Sequence, residues 1–83
     1  MSAAVTVKFF ASLREEVGHS EIRLQAGGVA DLMLALARQL EPEQMNALQQ
    51  ENIRIALNQD LLQGDVAFQD GDEVAFLPPV TGG

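Results

Sequence analysis

The sequence closes on Pro78-Pro79-Val80-Thr81-Gly82-Gly83. The group with chemistry to offer there is the α-carboxylate of Gly83. Two successive residues without a Cβ make the slimmest and most pliable end a polypeptide can have. Such an end suits a carboxylate that is threaded into the narrow active site of another protein. A frayed, small-residue terminus is the ordinary alternative, and a bare Gly-Gly does not separate the two. Pro78-Pro79 favours an extended exit, and Val80 to Gly83 then reaches about 13 Å at 3.3 Å per residue.

No other part of the sequence assembles a reactive constellation. There is no cysteine, which rules out a disulfide framework, a thiol nucleophile, a Cys-ligated zinc and a CxxC redox motif. His19 is the single histidine and sits between Gly18 and Ser20, so it reads as a surface-loop residue rather than a metal ligand. Asp60, Asp65, Asp70 and Asp72 miss the calcium-loop spacing and read as solvated turn residues. Gly27-Gly28 lacks the lysine of a phosphate loop and the spacing of a dinucleotide fold. No nucleophile stands beside a plausible base.

Twelve acidic and five basic side chains give a net charge of −7 over 83 residues. Phosphate backbones and anionic membranes repel such a surface, so neither nucleic acid nor membrane is expected as a partner. The charge serves solubility or steers the chain toward a basic partner, and composition leaves both open. No apolar run approaches the length of a membrane span. Met1 to Ala4 has no basic, apolar leader pattern. The expectation is a single cytoplasmic domain, residues 1–83, with a flexible tail over 78–83.

The elements that must position that tail follow from periodicity. Val5-Thr6-Val7-Lys8-Phe9 alternates as a half-buried strand, with Val5, Val7 and Phe9 inward and Thr6, Lys8 and Phe10 outward. Ser12 is expected to cap a short helical turn that Gly18 ends. Glu21 to Leu24 alternates again as a hairpin partner. After Gly27-Gly28, Val29, Leu32, Met33, Leu36 and Leu40 form an apolar helical stripe. Asp31 near its start and Arg38 near its end complement the helix dipole. Pro42 ends this helix or starts a short one over Glu43 to Gln50, docked by Met45 and Leu48. Ile53, Ile55 and Leu57 make a third strand, with Arg54 and Ala56 on its far face. Leu61-Leu62 is a very short strand, and Asp70-Gly71-Asp72 a tight turn. Glu73 to Leu77 is the last strand, with Val74 and Phe76 inward and Ala75 and Leu77 outward. Pro78-Pro79 cannot donate ladder hydrogen bonds, so pairing stops there. The order fits an α+β fold, a mixed sheet of about five strands with one main helix on one face. First and last strands as central neighbours would bring Phe10 and Leu77 onto one exposed face.

Three segments carry a resemblance. Val7-Lys8-Phe9-Phe10-Ala11 with Leu13-Arg14-Glu15, then Leu57-Asn58-Gln59, and above all Asp70 through Gly83, resemble the small subunits of molybdopterin synthase, a family of ubiquitin-like β-grasp sulfur carriers. The resemblance implies that an activating enzyme of the ubiquitin E1 kind adenylates the terminal carboxylate with ATP. A sulfur donor protein then leaves a thiocarboxylate, a 1-thioglycine, on Gly83. Pro79, Val80, Thr81 and Gly82 carry it into the large subunit, where the sulfur builds the dithiolene on a pterin precursor. It also implies a heterotetramer, no tightly bound cofactor or metal, and a carrier whose catalysis resides in the partner. The face of Phe10, Leu61 and Leu77 corresponds to the family's docking surface, with packing of Phe10 under the Ser12–Glu16 turn as the alternative. Arg14 either pairs with a partner carboxylate or is solvated. A chain without cysteine has only its terminus to carry transferable sulfur. The same terminal chemistry would serve a carrier for thiazole synthesis or a protein modifier conjugated through Gly83. A plain binding module is the fourth reading.

Overall fold

The computed structural model describes residues 2–78. Alternation of apolar and polar residues produces β1 (Ala3–Phe9), with Ala3, Val5, Val7 and Phe9 all buried. A hairpin returns as β2 (Glu21–Ala26), paired antiparallel so that Val7 faces Ile22 and Val5 faces Leu24. Between them lies α1 (Ser12–Val17), closed by Gly18 at φ 83, a left-handed position that glycine adopts without steric cost. Ser12 does not cap this helix. The cap position belongs to Ala11, at φ 51 and ψ −130, and no side chain bonds the free amides. The chain swings sharply off β1 there, because the Phe10 amide is still held by the Phe76 carbonyl at 3.3 Å.

The long helix α2 (Val29–Gln39) buries Leu32 and Leu36, with Val29 and Met33 packed at the edge of the core. Pro42 starts a new helix rather than ending the old one: α3 (Pro42–Leu48) opens with a capping box, in which the Glu41 amide donates to Gln44 Oε1 at 2.7 Å. Met45 and Leu48 dock it. β3 (Arg54–Leu57), β4 (Asp60–Leu61) and β5 (Glu73–Leu77) complete one mixed sheet of order β2-β1-β5-β3-β4. β5 lies centrally, parallel to β1 and antiparallel to β3. Its Val74 and Phe76 are fully buried, and the Phe76 ring stacks on Phe9 with centroids 5.7 Å apart.

The segment before β5 does more than the sequence suggested. Phe68 is buried, and its amide donates to the Gly27 carbonyl at 3.0 Å, which ties the loop to the start of α2. Gly28, the N-cap of α2, has no side chain to offer. Asp65 supplies the missing acceptor: its Oδ1 takes the Val29 amide at 2.8 Å. A Cβ on Gly28 would stand 3.0 Å from that oxygen and 3.1 Å from the Val66 carbonyl. Asp70 accepts the Ala4 amide and Asp72 the Gln69 amide, each at 2.8 Å. These exposed carboxylates are therefore joints between segments as well as solvated turn residues.

Candidate functional site

The outer face of the sheet is built by the residues that alternate away from the core. The β1–β5 register sets Lys8 beside Ala75 and Thr6 beside Glu73, and continuing it puts Phe10 beside Leu77. The β3–β5 register sets Arg54 beside Leu77 and Ala56 beside Ala75. Leu61 on β4 faces Ala56. One cross-strand row thus runs Phe10, Leu77, Arg54, and the next runs Lys8, Ala75, Ala56, Leu61. Phe10 is 44% exposed and Leu61 56%. Ala75 and Ala56 form a low floor between them, small enough that little of either reaches solvent.

Farther from the tail the face turns polar. Lys8 Nζ lies 3.2 Å from Glu73 Oε2. Asn58, at φ 49, donates through its side chain to Asp72 Oδ1 at 3.0 Å and accepts the Glu73 amide at 2.9 Å. The amide of Gln69 and the side-chain amide of Asn58 both stabilise the ionised form of Asp72. They hold its carboxyl below the usual carboxylate range. The face therefore has a polar end near the Asp70–Asp72 turn and, bordering Pro78, an end where Phe10 and Leu77 stand beside Arg54.

Of the residues expected at a partner surface, Phe10 and Leu77 come together as neighbours. Leu61 shares their face but stands two strands and one row away from Leu77, about 12 Å at the usual strand spacing and rise. Arg14 is exposed on α1 and enters no ion pair among the described residues. Pro79, Val80, Thr81, Gly82 and Gly83, the expected tail and sulfur-bearing residue, lie outside the described residues. Sequence reading left Arg54, Ala56 and Ala75 out of the surface. Alternation places them on the far face, but only the register of β3 and β4 makes them adjoin Leu77 and Leu61.

No group of three or more His, Cys, Asp or Glu among the described residues is placed to hold a metal ion. No helix among them is long and apolar enough to cross a membrane. The grooves lie open at the surface. One of about 480 Å³ runs beside Pro78, between Ser12 and Glu16 of α1 and the Gln50–Ile53 connection.

Comparison with known proteins agrees with this arrangement. The model of the ThiS family matches residues 7–83. The molybdopterin synthase sulfur carrier subunit of Escherichia coli is 41% identical over 81 residues, covering 95% of this chain and 99% of its own. Among solved structures, small archaeal modifier protein 1 from Methanosarcina acetivorans superposes with a TM-score of 0.82 at 31% identity, covering 100% and 99% of the two chains. Subunits 1 and 2 of the molybdopterin-converting factor from Helicobacter pylori, solved as a complex, include a chain that superposes at 0.69 and 27% identity, with both chains covered in full. The five-stranded mixed sheet with its helices is thus the ubiquitin-like fold, and the chain belongs to the ThiS family as a homologue of the molybdopterin synthase sulfur carrier subunits.

Proposed function

We propose that this chain carries sulfur for molybdopterin synthesis, bearing it on Gly83 and delivering it inside a larger partner subunit. The observation that carries the reading is the apolar pair Phe10–Leu77 on the open sheet face, one residue before Pro78, where the terminal segment departs. A partner that grips this end of the face receives the segment leading to Gly83 directly. The Helicobacter pylori complex supports a second subunit of the molybdopterin-converting factor as that partner.

The chemistry requires activation, because a carboxylate is a poor electrophile. An E1-like enzyme would join the Gly83 carboxylate to the α-phosphate of ATP with release of pyrophosphate. The terminal sulfur of a donor protein's persulfide then attacks the acyl carbon and expels AMP, and a thiol reductant cleaves the resulting acyl disulfide to leave the thiocarboxylate. In the large subunit that sulfur bonds to a carbon of the pterin precursor, water cleaves the Gly83 acyl–sulfur bond and returns the carboxylate, and two such deliveries build the dithiolene. The carrier contributes reach, slenderness and docking; the pterin chemistry belongs to the partner. A cytoplasmic setting, where ATP and the activating enzyme are at hand, completes the reading.

The test uses the full chain with the activating enzyme, ATP and a sulfur donor. Mass spectrometry of the terminal peptide is expected to show one oxygen replaced by sulfur on Gly83. A chain lacking Gly82 and Gly83 should show no exchange and no molybdopterin formation. Persistent molybdoenzyme activity in cells carrying only the shortened chain would overturn the proposal.

The likeness to small archaeal modifier protein 1 favours one second reading, in which a lysine amine, rather than sulfur, attacks activated Gly83. Isopeptide-linked adducts ending in Gly83, found in digests of cells expressing the chain, would establish it. A thiazole-pathway carrier shares the terminal chemistry and is distinguished by the protein that co-purifies with the sheet face.

A further inference from the structure

Three large apolar side chains are exposed among the described residues: Phe10, Leu61 and Leu34. The first two lie on the open sheet face. Leu34 is the most exposed of the three, at 63%, and lies on the opposite side of the molecule, on the outer surface of α2. Carrier chemistry gives it no role. Its surroundings are ordered in a specific way. At 100° per residue, Ala30 and Ala37 flank Leu34 on one side of the outer stripe, and Asp31 and Arg38 flank it on the other. All four are exposed.

This stripe is complementary to itself. Asp31 stands three residues before Leu34 and Arg38 four residues after it, about 4.5 Å and about 6 Å along the axis. Set a second α2 antiparallel to the first about a two-fold axis at Leu34. Leu34 then meets its own copy, Ala30 meets Ala37, and Asp31 meets Arg38, twice over. With Leu34 against its own copy and alanines at the flanks, the interaxial separation falls in the usual range of about 8–10 Å. One Asp31 oxygen accepts the Gly27 amide at 2.8 Å, which leaves the other for a partner. Arg38 enters no ion pair among the described residues. The helix carries one acid and one base in a chain of net charge −7, so this is a surface where two copies do not repel locally. Repulsion between the remaining charges is screened beyond about 8 Å at physiological salt.

We infer that the outer face of α2 is a homodimer surface, on which a second copy of this chain seats antiparallel through Leu34 and the paired Asp31 and Arg38. The contact stripe is one helix of three turns, smaller than a stable interface demands. The association is therefore weak, with a Kd on the order of 1 mM. Because α2 packs on the inner face of the sheet, the pair leaves both open faces accessible. The inference stands independently of the sulfur-carrier reading.

The test is a dilution series of the full chain from about 2 mM to about 50 μM, a range that brackets that Kd, followed by amide NMR shifts and sedimentation equilibrium. Shifts centred on Ala30, Asp31, Leu34, Ala37 and Arg38 are expected to move with concentration, along with a rise in mass toward the dimer. Leu34→Glu should abolish both changes without altering the rest of the spectrum. Arg38→Glu, which faces Asp31 with a like charge, should weaken the association about tenfold or more, since the two-fold axis doubles each substitution. A monomer mass with no moving shifts at the highest concentration overturns the inference. So do shifts centred on Phe10, Leu61 and Leu77, or an Arg38→Glu variant that associates as the parent does.

Discussion

The two faces of the sheet are drawn from the same strands and have opposite fates. Inward, Val7, Val74 and Phe76 are fully buried, with Val5 and Phe9 nearly so. Outward, their immediate neighbours Lys8, Glu73 and Leu77 are half-buried, and Phe10 is exposed. The inner face is apolar, because its residues pack into one core with Leu13, Val17, Leu32, Leu36 and Met45 of the helices. The outer face is graded. Charges and amides gather around Glu73, Asn58 and Asp72, while Phe10 and Leu77 stand at the end beside Pro78, next to Arg54. The difference teaches that the outer face is not a leaky core. Phe10 and Leu77 stand beside Pro78, and Leu61 stands at the edge of the alanine floor.

If the inner face is core and the outer face is docking surface, truncations on the two should fail in different assays. Phe76→Ala removes a fully buried ring that stacks on Phe9. It should cost about 3–5 kcal/mol in denaturant unfolding, a large share of a typical domain's stability. A cost below about 1 kcal/mol would mean that the inner face is not the core. Phe10→Ala should leave the unfolding midpoint close to the parent's and weaken binding to a large subunit by about 2 kcal/mol, some 30-fold, in calorimetric titration. Lost stability with unchanged binding would erase the distinction between the faces.

A finer comparison sets the tail end of the molecule against the opposite end, where carboxylates join segments. Asp65→Ala strips the acceptor from the Val29 amide and should lower stability by about 1 kcal/mol without affecting partner binding. Lys8→Ala removes the Glu73 ion pair on a half-exposed surface and should change stability by less than about 1 kcal/mol. Asp72 supplies the smallest signal, in pH dependence. Its folded-state value lies below the unfolded one, so its contribution is complete above the unfolded value of about 3.9. That contribution fades as pH falls through the folded value. Unfolding midpoints measured between neutral and strongly acid pH should show this loss, and Asp72→Asn should flatten it.

The strands and the main helix were legible because one period governed each. Val5, Val7 and Phe9 alternate without interruption, and Leu32, Met33, Leu36 and Leu40 recur at helical spacing. The start of α1 was misread for a physical reason. Serine caps helices in general, but here the last sheet bond, from the Phe10 amide to the Phe76 carbonyl, fixes where the chain turns. That puts Ala11 at the cap position. The capping role of Asp65 and the burial of Phe68 went unread because their partners, Val29 and Gly27, are 36 and 41 residues away, and no local pattern announces such contacts.

Sequence alone determined which residues turn inward, where the chain breaks, and that no cysteine chemistry is possible. Local periodicity and covalent geometry suffice for those. Tertiary structure alone decided that Phe10, Leu77 and Arg54 stand in one row, that Ala75 and Ala56 floor the space before Leu61, and that Asp65 caps α2 in place of Gly28. Register between strands is set by the packing of the whole inner face, because a slip of one residue would turn every buried side chain to water. Neighbours across the sheet are therefore a property of the folded molecule and of no segment within it.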